Sequence, residues 1–299
     1  MSSVTTTTTT ASSTVQTQAT RRLGEFLGRW LVHIVLFSLA IIWLVPSVGL
    51  LITSFRPRGA IADSGWWTAL APARFTVENY EQVLTAQGMG DSFLNSFLIT
   101  LPSTFLTVFI ASLAAYGLSF GRFRLRNTFF LIVLALLVVP LQTTLVPVLQ
   151  LYNRLGLTGS FIGIWIAHTA YGLPFAIYLL RNFFASLPYE LAESAKIDGA
   201  NEWTIFSRIV IPLSVPALAS LGIFQFMWIW NDLLVSLVYM STPDRQPMTV
   251  RIQAMLGTYA TEWHIMSAAA FISMFVPLLV FFALQRYFVV GLTAGAVKA

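Results

Sequence analysis

Long uncharged apolar runs alternate with short polar segments along almost the whole of this 299-residue chain. Leu31–Phe55, Ser92–Gly121, Asn127–Asn153, Leu155–Leu180 and Trp263–Gln285 contain no Asp, Glu, Lys or Arg, and Ile209–Tyr239 contains a single charge, Asp232. A helix of about 20 apolar residues crosses a bilayer. Hydrocarbon also forces the backbone to satisfy its own hydrogen bonds. The pattern therefore predicts an all-α membrane protein with six spanning helices, near 31–55, 94–119, 128–150, 160–180, 213–238 and 265–288. Each span contains proline (Pro46, Pro102, Pro140, Pro147, Pro174, Pro216 and Pro277), which is expected to shape a helix within a bundle rather than end it.

The polar segments are short. Residues 1–24, rich in Ser and Thr, bury too little apolar area to offset ordering and read as a disordered tail. Residues 25–299 then form one transmembrane domain. Between the first two spans, ARFTVENYEQVL suits a short amphipathic helix at the interface, with Trp66 and Trp67 as headgroup anchors. Residues 240–264 read as a turn-rich loop.

Composition narrows the chemistry. The chain is 57% hydrophobic and 10% charged, where soluble domains carry about 25% charged residues. Its net charge of +5 comes from scattered arginines, with no basic run longer than Arg21-Arg22, so a nucleic-acid surface is excluded. There is no cysteine, and His33, His168 and His264 lack metal-ligand spacing. Lys196 and Lys298 do not follow a glycine, so no P-loop is present and any ATP must be bound by another chain. No paired carboxylates or G-x-S-x-G elbow supports a catalytic site. Arg and Lys in the loops set orientation. With the N-terminus inside, the cytoplasm receives Arg21, Arg22, Arg29, Arg122, Arg124, Arg126, Arg181, Lys196, Arg208, Arg286 and Lys298. The exterior receives Arg56, Arg58, Arg74, Arg154, Arg245 and Arg251, so both termini are expected in the cytoplasm.

That orientation places the charged insert 187–212, between spans four and five, on the cytoplasmic side. Pro188 and Glu190 suit a helix start, and Asp198-Gly199 suits its end. Asn201 can cap a second helix running to Pro212. Glu193 and Lys196 are spaced to pair. Ala192, Ala195 and Gly199 share a narrow face that would let another surface approach closely. Trp203, Phe206, Ile209 and Val210 make an apolar stripe expected to pack against the bundle. The segment thus reads as a helix-turn-helix.

Its spacing resembles a known motif. Glu193-Ser194-Ala195, three residues, Gly199, nine residues, Ile209, one residue and Ile211-Pro212 match the EAA loop of binding-protein-dependent ABC importer permeases, with Ser194 in place of the middle Ala and Ile211 in place of Leu. AKIDGANEWTIFSRIVIPLSVPAL, FMWIWNDLL and FTVENY resemble the carbohydrate-uptake branch, in particular the maltose-type second permease subunit. The resemblance implies a bacterial inner-membrane, multi-pass subunit that forms a sugar pathway with a second permease. It implies two cytoplasmic ATPase subunits, which bind ATP and Mg, and an extracytoplasmic solute-binding protein or lipoprotein. It also implies that Ala192, Glu193, Ser194, Ala195, Asp198 and Gly199 engage an ATPase, while Phe206, Ile209 and Pro212 pack the loop. The chain itself would bind no cofactor.

Polar groups within the spans leave two readings open. Asp232, with Asn231, Trp228, Trp230, Gln225 and Asn95, would suit a sugar pathway, since a sugar ring has apolar faces and hydroxyl edges. Asp232 equally suits a helix-end residue bonded to a neighbouring helix. His168 reads as a satisfied interior residue. An ion-coupled secondary transporter is the alternative function, but it needs ion sites, often repeated between halves, and one acidic residue within the spans does not supply them.

Overall fold

The computed structural model describes the backbone of residues 11–70, 73–259 and 262–294, and the side chains of residues 30–70, 73–257 and 262–285. Among these residues the chain is helical between its turns. Helix α1 (Ala11–Ser54) begins inside the expected tail, of which residues 1–10 lie outside the described residues. No Gly or Pro interrupts residues 11–23, so the helix extends from its apolar part at one hydrogen bond per residue. Then come α2 (Arg58–Asp63), a 3-10 turn (Trp66–Thr68) and α3 (Glu78–Thr85), the last being the amphipathic helix expected there. Arg56, counted above as a loop charge, is 3% exposed. Its guanidinium donates to the Ala60 and Ser64 carbonyls and to Ser64 Oγ.

Helices α4 (Met89–Phe120) and α7 (Phe161–Phe184) form the central pair of the bundle. Ser92, Ser96, Ser103, Thr107, Ala111 and Ala115 on α4, with Ala167, Gly172 and Ala176 on α7, are buried. Small side chains let helix backbones approach in a bilayer, where dispersion and hydrogen bonding replace the hydrophobic drive.

The third expected span is two helices. Helix α5 (Arg126–Val138) and α6 (Leu141–Leu155) meet at 100°. Val139 (ψ 119°) and Pro140 (ψ 125°) are both extended. A residue preceding proline is driven out of the α region, so the helix stops here. Pro102, Pro174 and Pro277 stay inside continuous helices.

The fifth span is also broken, twice. Helix α8 (Tyr189–Ile197) is followed by α9 (Glu202–Ile205), a π turn (Phe206–Val210) and α10 (Ile211–Leu213). Helix α11 (Val215–Trp230) then departs at 77° from the Glu202–Leu213 axis. Pro216 has no N–H for the Pro212 carbonyl, and its ring clashes with that carbonyl in a straight helix. Residues 231–233 separate α11 from α12 (Leu234–Tyr239). The loop expected over 240–264 contains a 3-10 turn (Pro243–Arg245) and α13 (Met248–Tyr259), before α14 (Trp263–Ala294).

Among the described residues four helical stretches are long and apolar enough to span alone: Trp30–Ser54, Met89–Phe120, Phe161–Phe184 and Trp263–Gln285. Counted as one span each, the two bent pairs bring the number to six. Helix α11 packs against α4, α7 and α14, whereas α1 touches mainly α14 and leaves most of its apolar side chains exposed.

Candidate functional site

The 187–212 insert is a short helix, a tight turn and a second helical stretch interrupted by a π turn, and it packs on one end of the bundle. Pro188 immediately precedes α8. The helix closes when the Gly199 N–H donates to the Lys196 carbonyl (3.1 Å) and the Ala200 N–H to the Ala195 carbonyl (2.9 Å). Gly199 has φ +84°, in the left-handed region that side chains avoid. Asn201 Oδ1 accepts from the Thr204 N–H at 2.8 Å and starts α9.

The faces of the insert differ from the expected ones. Ala192 is 3% exposed and Ala195 half-buried, both against a cluster with Phe120, Phe184, Ile205 and Val210. Ala192 and Ala195 therefore meet the bundle itself, while Gly199, the third member of the expected small-residue face, stays open to an outside surface. Ser194, Asp198 and Gly199 face solvent, as do Leu191 and Ile197, the latter 86% exposed. These two apolar residues were missed because they lie outside the Glu-Ser-Ala spacing. The signal was available, since Leu191, Ser194 and Ile197 follow one another at three-residue steps. Phe206 and Val210 are buried and Ile209 half-buried as expected, but Pro212 is exposed and Trp203 is 61% exposed against Phe206.

The expected Glu193–Lys196 pair is replaced by longer-range contacts. Arg122, in the hairpin between α4 and α5, donates to Glu193 (3.1 Å) and to the Tyr189 hydroxyl (3.1 Å). Lys196 pairs with Glu202 at 2.6 Å, and Tyr116 on α4 donates to the other Glu202 oxygen at 2.6 Å. The Lys196 and Tyr116 hydrogen bonds hold the Glu202 carboxyl below the usual range. The insert and the GRFRLR hairpin thus lie at the same end of the molecule, and the α8 frame is held against α4 from both sides.

The expected pathway residues do not converge. Asn95 is buried and donates to the Asp244 and Gln246 carbonyls, fastening the turn before α13. Trp230 is buried beside Phe93, Phe97 and Phe226 and donates to the Ser273 carbonyl. Gln225 is buried with its amide against Gly172, and its Nε2 has no partner among the described residues. Asn231 is exposed and bonds back to the Met227 carbonyl. Asp232 lies in the break between α11 and α12, not within a helix. It accepts from the N–H groups of Val235 and Ser236 and from the Ser236 hydroxyl, and it lies 3.2 Å from His168 Nε2. Trp228, 38% exposed, stands edge-on to His168. Asp232 and Trp228 both meet His168, and Asp232's contacts fit the helix-end reading. Among the described residues no group of three His, Asp or Glu could hold a metal.

A family model described as the binding-protein-dependent transport system inner membrane component matches residues 107–293. The chain is 50% identical over 289 residues to the osmoprotective compounds uptake permease protein GgtD of Synechocystis sp., covering 95% of this chain and 97% of that one. It is 49% identical over 254 residues to the alpha-glucoside transport system permease protein AglG of Rhizobium meliloti, covering 83% and 67%. Its fold is similar, at a TM-score of 0.74 and 22% identity, to a chain of a bacterial ABC transporter involved in import of the polysaccharide alginate, with 95% and 100% covered. These relatives are transporter subunits rather than enzymes. With well over half of its length matched by the family model, the chain belongs to the binding-protein-dependent transport system inner membrane component family.

Proposed function

We propose that this chain is one of two permease subunits of an ATP-driven sugar importer, and that it takes its motion from a separate cytoplasmic ATPase through α8 and the Gly199 turn. One observation carries the reading. The insert, which holds the Glu-Ser-Ala spacing, is pinned to α4 by Tyr116–Glu202 and to the hairpin that follows α4 by Arg122–Glu193, while Leu191 and Ile197 remain outward. Force applied to that face passes through two short contacts into the central helix of the bundle. A rigid element gripped at one end and packed into a helix pair suits rocking between inward- and outward-facing states.

The sugar class is supported by the relative named for alpha-glucoside transport, at 49% identity. An extracytoplasmic solute-binding protein or lipoprotein delivers cargo, a second permease completes the pathway, and two ATPase subunits bind ATP and Mg. The GRFRLR hairpin and the insert then face the cytoplasm, with both termini on that side of the inner membrane. The exposed apolar flank of α1 meets lipid or the second permease.

The test is reconstitution with the cognate permease, ATPase and receptor in proteoliposomes. ATP should drive uptake of a receptor-bound alpha-glucoside. Uptake driven by a proton or sodium gradient without ATP would overturn the reading.

A further inference from the structure

The hairpin joining α4 to α5 carries three arginines in five residues, Arg122, Arg124 and Arg126. With Gly121, Phe123 and Asn127 they line an open basin of about 260 Å³. No Asp or Glu contributes to its wall. Arg126 Nη1 lies 3.4 Å from the Ser119 and Gly121 carbonyls, which seats it beneath the loop. Arg122 meets Glu193 on the side of α8. Arg124 has no hydrogen bond or ion pair among the described residues. The basin therefore holds a surplus of positive charge, and one of its cations is uncommitted.

Its rim is apolar. Phe123, Leu125 and Phe129 are 44%, 55% and 52% exposed. Greasy side chains beside clustered guanidinium groups at the end of a spanning helix match the depth at which acyl chains meet headgroups. Guanidinium forks also suit phosphate oxygens. We propose that this basin binds the phosphate headgroup of an anionic phospholipid. A free phosphate would use the arginines but not the apolar rim. The proposal rests on the membrane-subunit reading above, but not on the cargo or the motor. Because Arg122 also holds Glu193, the headgroup would sit one side chain away from α8.

The test measures lipid, not transport. The assembled complex is purified from membranes containing phosphatidylglycerol, and the phosphatidylglycerol retained per complex is counted by native mass spectrometry. An arginine near an anionic surface contributes about fivefold in binding. Arg124→Gln is therefore expected to lower retention about fivefold, and Arg124→Gln/Arg126→Gln further, while Arg124→Lys keeps most of it. Millimolar inorganic phosphate should not displace the lipid. Should the double variant fail to insert, Arg124→Gln alone decides, checked by binding to phosphatidylcholine vesicles with and without phosphatidylglycerol. Wild type should depend on the anionic lipid, and the variant about fivefold less. Unchanged retention in Arg124→Gln would overturn the proposal. So would displacement by inorganic phosphate, which marks a free-anion site. Loss of the ATPase subunit from the variant with lipid retention intact would assign the basin to that subunit instead.

Discussion

The Nε2 atom of His168, in the middle of α7, lies 3.2 Å from the Asp232 carboxylate in the break between α11 and α12. The ring is fully buried, and its Nδ1 lies 3.2 Å from the Ile164 carbonyl. The carboxylate simultaneously receives two backbone N–H groups and a hydroxyl. One side chain thus caps α12, holds the non-helical 231–233 link and ties it to the central helix pair. These contacts fit a helix-end fastener inside the bundle.

Asp232→Ala should therefore act on stability first. It leaves the Val235 and Ser236 N–H groups and His168 without their acceptor, at a cost of about 1–3 kcal/mol. Thermal unfolding in detergent should fall accordingly. Transport of different sugars should decline together, with no change in selectivity. Combined with His168→Ala, the two losses should fall short of additive by about 0.5–3 kcal/mol, as expected for residues in contact. A selectivity change at unaltered stability would return Asp232 to the pathway.

Gly199 offers a separable test of the turn. No atom lies within 4 Å of a Cβ built there, so a side chain meets conformational cost without a clash. At φ +84° that cost is about 1–2 kcal/mol for an ordinary residue and less for Asn. Gly199→Val should leave membrane insertion intact but lower ATP-coupled uptake, whereas Gly199→Asn should retain most of it. Equal uptake by both variants would mean that the turn geometry is not needed.

The Lys196–Glu202–Tyr116 contact carries a pH signature. Glu202 is held below the ordinary carboxylate range, chiefly by the Lys196 hydrogen bond and then by Tyr116. A depressed carboxyl contributes stability that is whole above its unfolded value and is lost as pH falls through the lowered one. The clasp should thus be complete at neutral pH and fail only in acid. Hydrogen exchange of the α8 and α9 amides should show the same protection at pH 7 and pH 6 and lose it below the normal carboxylate range. In Glu202→Gln the low protection should already be present at neutral pH. Because Glu202 is largely exposed, high salt should weaken the effect.

Much of this was legible from apolar run length and turn chemistry. Uncharged runs located α4, α7 and α14 within a few residues, because a bilayer leaves long helices as the only solution. Gly199 and Asn201 were readable since positive φ and N-capping are local demands. The breaks at Pro140 and Ser214 were not, because the same proline that ends α5 is tolerated at Pro102 and Pro174. At Pro102, for example, the Leu98 carbonyl left without its helical partner accepts from Trp165 Nε1 on α7 at 2.8 Å, a contact that local sequence does not reveal. The pairing of Glu193 was hidden for a related reason. Helical spacing offered Lys196, but Arg122, 71 residues away, reaches Glu193 only once α4 and α8 meet.

The most direct test is a cross-link. The chain has no cysteine, so Ile197→Cys provides a single reactive position on the outward face of α8. A photoactivatable maleimide at that thiol, in the assembled complex, should capture a nucleotide-hydrolysing subunit, while the same probe at Leu70→Cys, at the opposite end, should not. Capture from Leu70 instead, or none from Ile197 in a complex that hydrolyses ATP, would contradict the account.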